Sequence, residues 1–386
     1  MNRNIVWLMA ITSGAAAANL YYNQPLLAAM GQSLDASVQA VGLIPTLGQV
    51  GYALGNFFIV PLGDLLERRR LIVNMLIGTA LALAAAAVSP TISWLVAASL
   101  IIGITTIVPQ ITVPFAALLA PIAVRGKVVG TVMSGLLIGI LLARTISGFV
   151  GAELGWRSMY WIASGVMLLL AIVLFWVLPR SQPAVVLTYR QLMQSMMKLV
   201  REPVLQEASI TGAMAFGAFS VFWSTLIFFL EQPPYRYGSG VAGLFGLIGV
   251  IGAVAAPFAG KLADRRSPRV AIVLGLITTV VSFLVFWLFG YQLWGLVMGV
   301  ILLDLGVQVA TVSNQALIYR LPDELHSRLN ALFITFYFVG GAAGSFLGAY
   351  SWNLWRWNGV CAAGLLLSLI AFAPLLIKRQ PQLSAK

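Results

Sequence analysis

Two charged residues stand where charge is expensive. Arg144 and Asp304 each interrupt a long apolar run. A charge at the centre of a bilayer costs ~2.5–3.5 kcal/mol on insertion scales, so such a residue reads first as functional. Counted from one membrane face, Arg144 lies about 16 residues up its run and Asp304 about 14, which at ~1.5 Å per residue is within one turn of the same depth. They could pair, directly or through a solute. Asp304 is the only carboxylate near mid-depth, and the single histidine, His326, falls in a short polar loop. If transport is proton-coupled, Asp304 is the candidate proton carrier, whereas an anionic solute would pair with Arg144; the alternative is a static structural ion pair between the two.

Polar and aromatic side chains surround these two in the pattern. Asp304, Gln308, Thr311 and Gln315 share one face at helical spacing. Asn19, Tyr22 and Asn23 fall in the first apolar run, and Thr106 and Gln110 in the fourth, beside Pro109 and Pro114, which would bend it. Phe219 and Trp223 fall in the seventh. Each could line a solute cavity or tie helices together, because polar side chains in lipid do both; Trp223 could equally be packing. With one histidine and one cysteine, Cys361, neither a His/Cys metal site nor an internal disulfide is available. No paired carboxylates or nucleophile–base set is present for a membrane-embedded enzyme, so neither enzyme activity nor a cofactor is expected.

The elements that must position these residues are apolar helices. Of 386 residues, 60% are hydrophobic and 9% charged. A soluble domain carries about 25% charged residues, and a spanning helix needs ~20 apolar ones. Twelve spans are expected, at 5–30, 38–62, 71–89, 92–119, 128–150, 158–178, 208–230, 240–260, 270–289, 293–318, 331–350 and 354–377. With the N-terminus inside, 19 of the 23 Lys and Arg residues fall on the cytoplasmic side and 3, Arg157, Arg236 and Arg356, on the other. That bias places both termini in the cytoplasm. The net charge of +12 is then a topology signal, with no nucleic-acid partner implied. The signal-like start, Arg3 and then an apolar run to Ala15–Ala18, is read as an uncleaved first span, since cleavage would leave an odd helix count. Within 179–207, Leu192, Met196 and Leu199 share a face against Arg190, Lys198 and Arg201, the pattern of an amphipathic helix lying on the membrane surface as a tether.

The halves repeat at an offset near 200 residues. Asp64 matches Asp264, Gln110 matches Gln308, and Gly151-Ala152 with Trp156-Arg157 match Gly348-Ala349 with Trp355-Arg356. Parallel six-helix repeats place a solute site between halves near the midplane. Glycines gather in span two (Gly48, Gly51, Gly55), span five (Gly135, Gly139), span eight (Gly243, Gly246, Gly249, Gly252) and span eleven (Gly340, Gly344, Gly348). Such small residues let backbones approach, and these helices are expected to form the sliding contact between halves.

Gly260-Lys261-Leu262-Ala263-Asp264-Arg265-Arg266 resembles the loop signature of the major facilitator superfamily, and Gly63-Asp64 with Arg68-Arg69-Arg70 resembles a degenerate first copy. The resemblance covers nearly the whole chain. It implies an all-α membrane protein of twelve transmembrane helices, built as two six-helix bundles related by a pseudo-two-fold: 1–178, a linker at 179–207, and 208–386. It also implies that Asp64, Arg68, Arg69, Gly260, Asp264 and Arg265 form a cytoplasmic gate, with Arg70 and Arg269 serving topology only. Tyr21-Tyr22-Asn23-Gln24-Pro25 resembles the bacterial drug–proton antiporters and sugar-efflux permeases, although Arg144 holds the position of the span-five proline in the antiporter signature. The implied protein is a monomeric, multi-pass secondary active transporter of the bacterial inner membrane. It moves a small solute by alternating access, with proton-coupled efflux as the leading mode. Import, or proton-independent exchange of an organic anion or sugar, is the alternative.

Overall fold

The computed structural model describes residues 3–181, 188–249 and 267–376. Every element of regular structure among them is helical. In chain order they are α1 (Arg3–Ala18), α2 (Leu27–Ser33), α3 (Val38–Phe58), α4 (Arg68–Ala87), α5 (Ile92–Thr105), α6 (Val108–Leu119), α7 (Arg125–Leu154), α8 (Trp156–Val177), α9 (Tyr189–Leu199), α10 (Pro203–Trp223) and α11 (Leu226–Leu230). They continue with α12 (Ser239–Gly249), α13 (Pro268–Phe289), α14 (Leu293–Ile318) and α15 (His326–Ile370).

Nine stretches among the described residues are long and apolar enough to cross a bilayer. One of them, His326–Leu376, carries two spans. Its helix reverses at Trp355 and Arg356, where Arg356 takes φ 52 and ψ −137. The α1–α2 segment and α12 complete the twelve. The proline-bent fourth span is α5 followed by α6, broken ahead of Pro109.

Two compact units divide the chain. The first holds the described residues through Tyr189 together with Gly238–Gly246; the second holds Arg190–Tyr237 and the described residues from Leu247 onward. In the first, α1 crosses α7 where Ala10 and Gly14 meet Gly135 and Gly139, so closely that a Cβ on any of the three glycines would strike the partner's backbone. In the second, α10 crosses α15 in the same way, Ala213 and Gly217 meeting Gly340 and Gly344. Gly51 and Gly55 of α3 lie against Leu100 and Ile104 of α5.

These contacts correct two expectations. The glycines of spans two, five and eleven are spent on packing within a unit, and a glycine stripe read from sequence does not say which neighbour it meets. Gly148, Gly243 and Gly246 bring α7 and α12 together within the first unit as well: a Cβ on Gly243 would come within 2.6 Å of the Arg144 carbonyl oxygen. The repeat also has a different register in span five. Gly135 and Gly139 correspond to Gly340 and Gly344, whereas Gly151 faces Leu26 and Gly348 faces Val221 and Thr225.

The linker helix α9 is also placed differently from the expectation. Leu192, Met196 and Leu199 are buried by the protein itself. Within the second unit Arg328 donates to Ser195 Oγ at 2.6 Å. The apolar face is covered by protein and is not available to lipid.

Candidate functional site

Span one loses its regular hydrogen bonding after Ala18. Residues 19–26 are held largely by three-residue steps, such as Tyr21 N–H to Ala18 O at 2.9 Å and Leu26 N–H to Asn23 O at 2.9 Å. Pro25 has no N–H to give and crowds the preceding turn, so the helix tightens there. The tightened stretch turns Tyr21, Asn23 and Gln24 into the interior of the first unit.

Arg144 of α7 meets that stretch. Its side chain is 2% exposed. Arg144 Nε donates to Gln24 Oε1 at 2.6 Å, and its guanidinium carbon lies 5.0 Å from the centre of the Tyr21 ring. Next along α7, Thr145 donates to the Gly243 carbonyl of α12 at 2.9 Å. Gln110 Nε2 donates to the Tyr52 hydroxyl at 3.1 Å, joining α6 to α3. Asn19 Nδ2 donates to Thr106 Oγ1 at 3.2 Å, and Thr106 donates to the Ala16 carbonyl at 2.7 Å. Asn19 and Thr106 thus tie α1 to the α5–α6 junction. Tyr22 is half-buried, and Asn23 folds back on the Leu20 carbonyl at 3.2 Å.

In the second unit, α14 carries Asp304, Gln308, Thr311 and Gln315, all half-buried. The Thr311 and Tyr337 hydroxyls are 3.4 Å apart, and Gln315 Nε2 donates to Asn330 Oδ1 at 3.4 Å. Tyr337 stacks on Phe216 with ring centres 4.0 Å apart and planes at 15°. Phe219 stacks on Phe216 at 5.6 Å, and Trp223 tilts against Phe219 at 5.9 Å. An aromatic slab from α10 and α15 therefore adjoins the polar face of α14. Tyr337 and Phe216 carry no signal in the sequence beyond being aromatic in an apolar run.

The first loop signature closes on itself. Arg68 donates to Asp64 Oδ1 and to the Gly63 carbonyl, both at 2.9 Å. Arg69 donates to the Phe175 carbonyl at 3.2 Å, at the end of α8, a natural place for a cation because the last carbonyls of a helix are unpaired. Glu67 bridges Arg69 and Arg70, at 3.4 and 3.1 Å. Gly260, Asp264 and Arg265 lie outside the described residues. Arg269, read from sequence as a topology charge alone, instead grips the buried Glu207 of α10 with two bonds, 2.7 and 2.8 Å. Outside the spans, burial and the neighbouring Tyr237 push the Tyr235 phenol up to about 12, and its hydroxyl donates to the Gly290 carbonyl at 2.7 Å.

Among the described residues no group of three or more His, Cys, Asp or Glu could hold a metal ion. Polar side chains and one deeply buried cation set among apolar spans can bind and release a solute. The fold is that of a membrane transporter for small solutes. The chain belongs to the Major Facilitator Superfamily, whose model matches residues 7–322 and 209–386.

YgaY of Escherichia coli (strain K12), described as an uncharacterized transporter, is 42% identical over 367 residues, 95% of this chain and 93% of its own. The probable transporter SCO4007 of Streptomyces coelicolor is 32% identical, covering 94% and 85%. A probable sugar efflux transporter of Helicobacter acinonychis is 24% identical, covering 84% and 82%. Among solved structures, the nucleoside transporter NupG matches with a TM-score of 0.77 at 13% identity over 96% of this chain and 99% of its own. A D-xylose–proton symporter matches with 0.72 at 15% identity over 96% and 97%.

Proposed function

We propose that the protein exports a small solute in exchange for protons, by alternating access between halves formed by 1–178 and 208–386 and joined by 179–207. The observation that carries this reading is that each unit keeps a charge well inside an apolar span: a buried arginine in α7 and a half-buried aspartate in α14. Asp304 takes up and releases the proton. Arg144, with the polar face of Gln308, Thr311 and Gln315, serves the solute side. Tyr22, Asn23, Gln110, Phe219 and Trp223 complete the cavity wall, and Asn19 and Thr106 brace it. Asp64, Arg68 and Arg69, with Gly260, Asp264 and Arg265, gate it from the cytoplasm. The lysine and arginine bias puts both termini there and the spans in the inner membrane, where the protein works as a monomer. The name of the Helicobacter relative supports efflux, and that of the xylose symporter supports proton coupling on this fold.

The test is proton movement in vesicles holding the purified protein. Asp304→Asn should abolish flux driven by an imposed pH gradient while leaving the protein monodisperse. Unchanged flux would sink the carrier role.

A further inference from the structure

The two copies of the repeat differ at more than one arginine. Where the first has Arg144, Tyr21 and Gln24, the second has Ala349, Ser224 and Ile227, at the spacing that takes Gly139 to Gly344 and Gly14 to Gly217. The other difference lies at the repeated Trp-Arg pair. In the second copy Arg356 takes a positive φ and lies over Trp352, 5.9 Å from the ring centre. The buried indole beside it, Trp357, donates to the Phe286 carbonyl near the end of α13 at 3.0 Å.

In the first copy the pair opens α8, whose start has no side-chain cap. Arg157 donates to Ser33 Oγ at 2.9 Å and to the Ser89 carbonyl at 3.0 Å. Its guanidinium carbon lies 4.2 Å from the centre of the Trp156 ring. These partners hold the cation without neutralising it, since both acceptors are uncharged oxygens. Asp35 and Glu153 stand nearby in the sequence and are exposed, and among the described residues no carboxylate pairs with Arg157.

More donors gather at the same corner. The Ser89 hydroxyl and the Trp156 indole N–H belong to residues 1% and 4% exposed, and neither has a hydrogen-bond partner among the described residues. Ser89 is the residue whose carbonyl Arg157 holds, and the indole lies under the guanidinium, so an oxyanion seated on Arg157 arrives beside both. The exposed Ser33 hydroxyl accepts from Arg157 and keeps its own proton to give. A cation, donors of this kind and an uncapped helix start together favour an anion.

The surroundings choose its source. Val88, Leu154 and Trp161, which flank Ser89, Gly155 and Arg157 along the chain, are 56%, 65% and 52% exposed. An open apolar collar beside a half-buried arginine and its tryptophan suits acyl chains on the collar and a phosphate at the guanidinium, the level at which such side chains anchor in a bilayer. A free phosphate ion would leave the collar bare.

We propose that Arg157 and Ser33 bind the phosphate of a membrane phospholipid at the face where α8 begins. The proposal is independent of the solute reading above. Full-length protein in detergent is followed by native mass spectrometry with dioleoyl phosphatidylglycerol, with dioleoylglycerol, which lacks the phosphate, and with inorganic phosphate. One phospholipid should bind at least tenfold more tightly than dioleoylglycerol, and Arg157→Gln should weaken it about tenfold, as loss of hydrogen bonds to a charged group does. Arg356→Gln, at the repeat's other Trp-Arg pair, should leave it within about twofold. Arg157 also ties three connections together, so a photoreactive phosphatidylglycerol on the unaltered protein gives a second reading: its label should fall within 86–91 or 154–161. Equal affinity for phospholipid and dioleoylglycerol, equal losses in Arg157→Gln and Arg356→Gln, or labelling that avoids both segments overturns the proposal. So does displacement of the phospholipid by inorganic phosphate at equal concentration, which would mark a site for free anions.

Discussion

The α1–α7 pair and the α10–α15 pair are built alike and equipped differently. Each crosses on an alanine and a glycine from the earlier helix and two glycines four residues apart on the later one. Each earlier helix is also interrupted near its end: α1 gives way to a three-residue-step stretch, and α10 breaks at Ser224 and Thr225, whose hydroxyls donate to the Ser220 and Val221 carbonyls at 2.6 and 2.7 Å. Such back-bonding competes with the helix ladder. Glycine crossing and helix break are thus common property of the repeat. The guanidinium, the amide and the ring that meet at Arg144 are present in one copy only. The shared features describe how a half is packed, and the unshared ones mark where the halves took different work.

The largest expected effect comes from forcing the copies to match. Ala349→Arg places a charge where no tyrosine–glutamine seat exists, and burying an uncompensated charge costs ~3–5 kcal/mol. Loss of monodisperse protein after extraction should follow; a well-folded variant would show that the second unit has a seat for cations after all. Next come the crossings. Gly14→Leu and Gly217→Leu should each cost up to ~3 kcal/mol, since an overpacked contact must shift a backbone. Thermal unfolding should show the two losses agreeing within about 1 kcal/mol, and a wide gap would deny that the crossings are equivalent.

The smallest effects concern the ion pairs near the starts of α4 and α13. Arg269 is 49% exposed, but its partner Glu207 is 2% exposed. Glu207→Gln should therefore cost about 1–2 kcal/mol, reduced from a fully buried pair by solvent around the arginine. Asp64→Asn removes a local pair with Arg68 and should cost ~0.5 kcal/mol or less. Stability curves for the two variants rank them directly.

Much of the fold was legible because lipid imposes a length rule. Twelve apolar runs and their basic breaks can be counted, and among the described residues the breaks fall near the helix ends. Arg144 was legible for the same reason, as a charge in the wrong solvent. Gln24 was not. In an unbroken helix its direction would follow a regular turn, and only the tightened stretch at Pro25 swings it onto Arg144. Glu207 gave no signal because it stands near the start of α10 and its partner follows a loop, where charges are ordinary. Tyr337 was one aromatic among many, and its meeting with Phe216 depends on how α15 lies against α10. Periodicity assigns a residue to a face; it does not name the neighbour. The same limit explains the glycines, whose stripes were plain and whose partners were misjudged.

The seating of α9 bears on how the protein behaves outside a membrane. Leu192, Met196 and Leu199 rest on protein, and Arg190 and Lys198 face outward. The helix therefore does not need a bilayer to stay folded: detergent that strips the lipid leaves it in place, and its amide hydrogens should exchange with solvent as slowly after extraction as before.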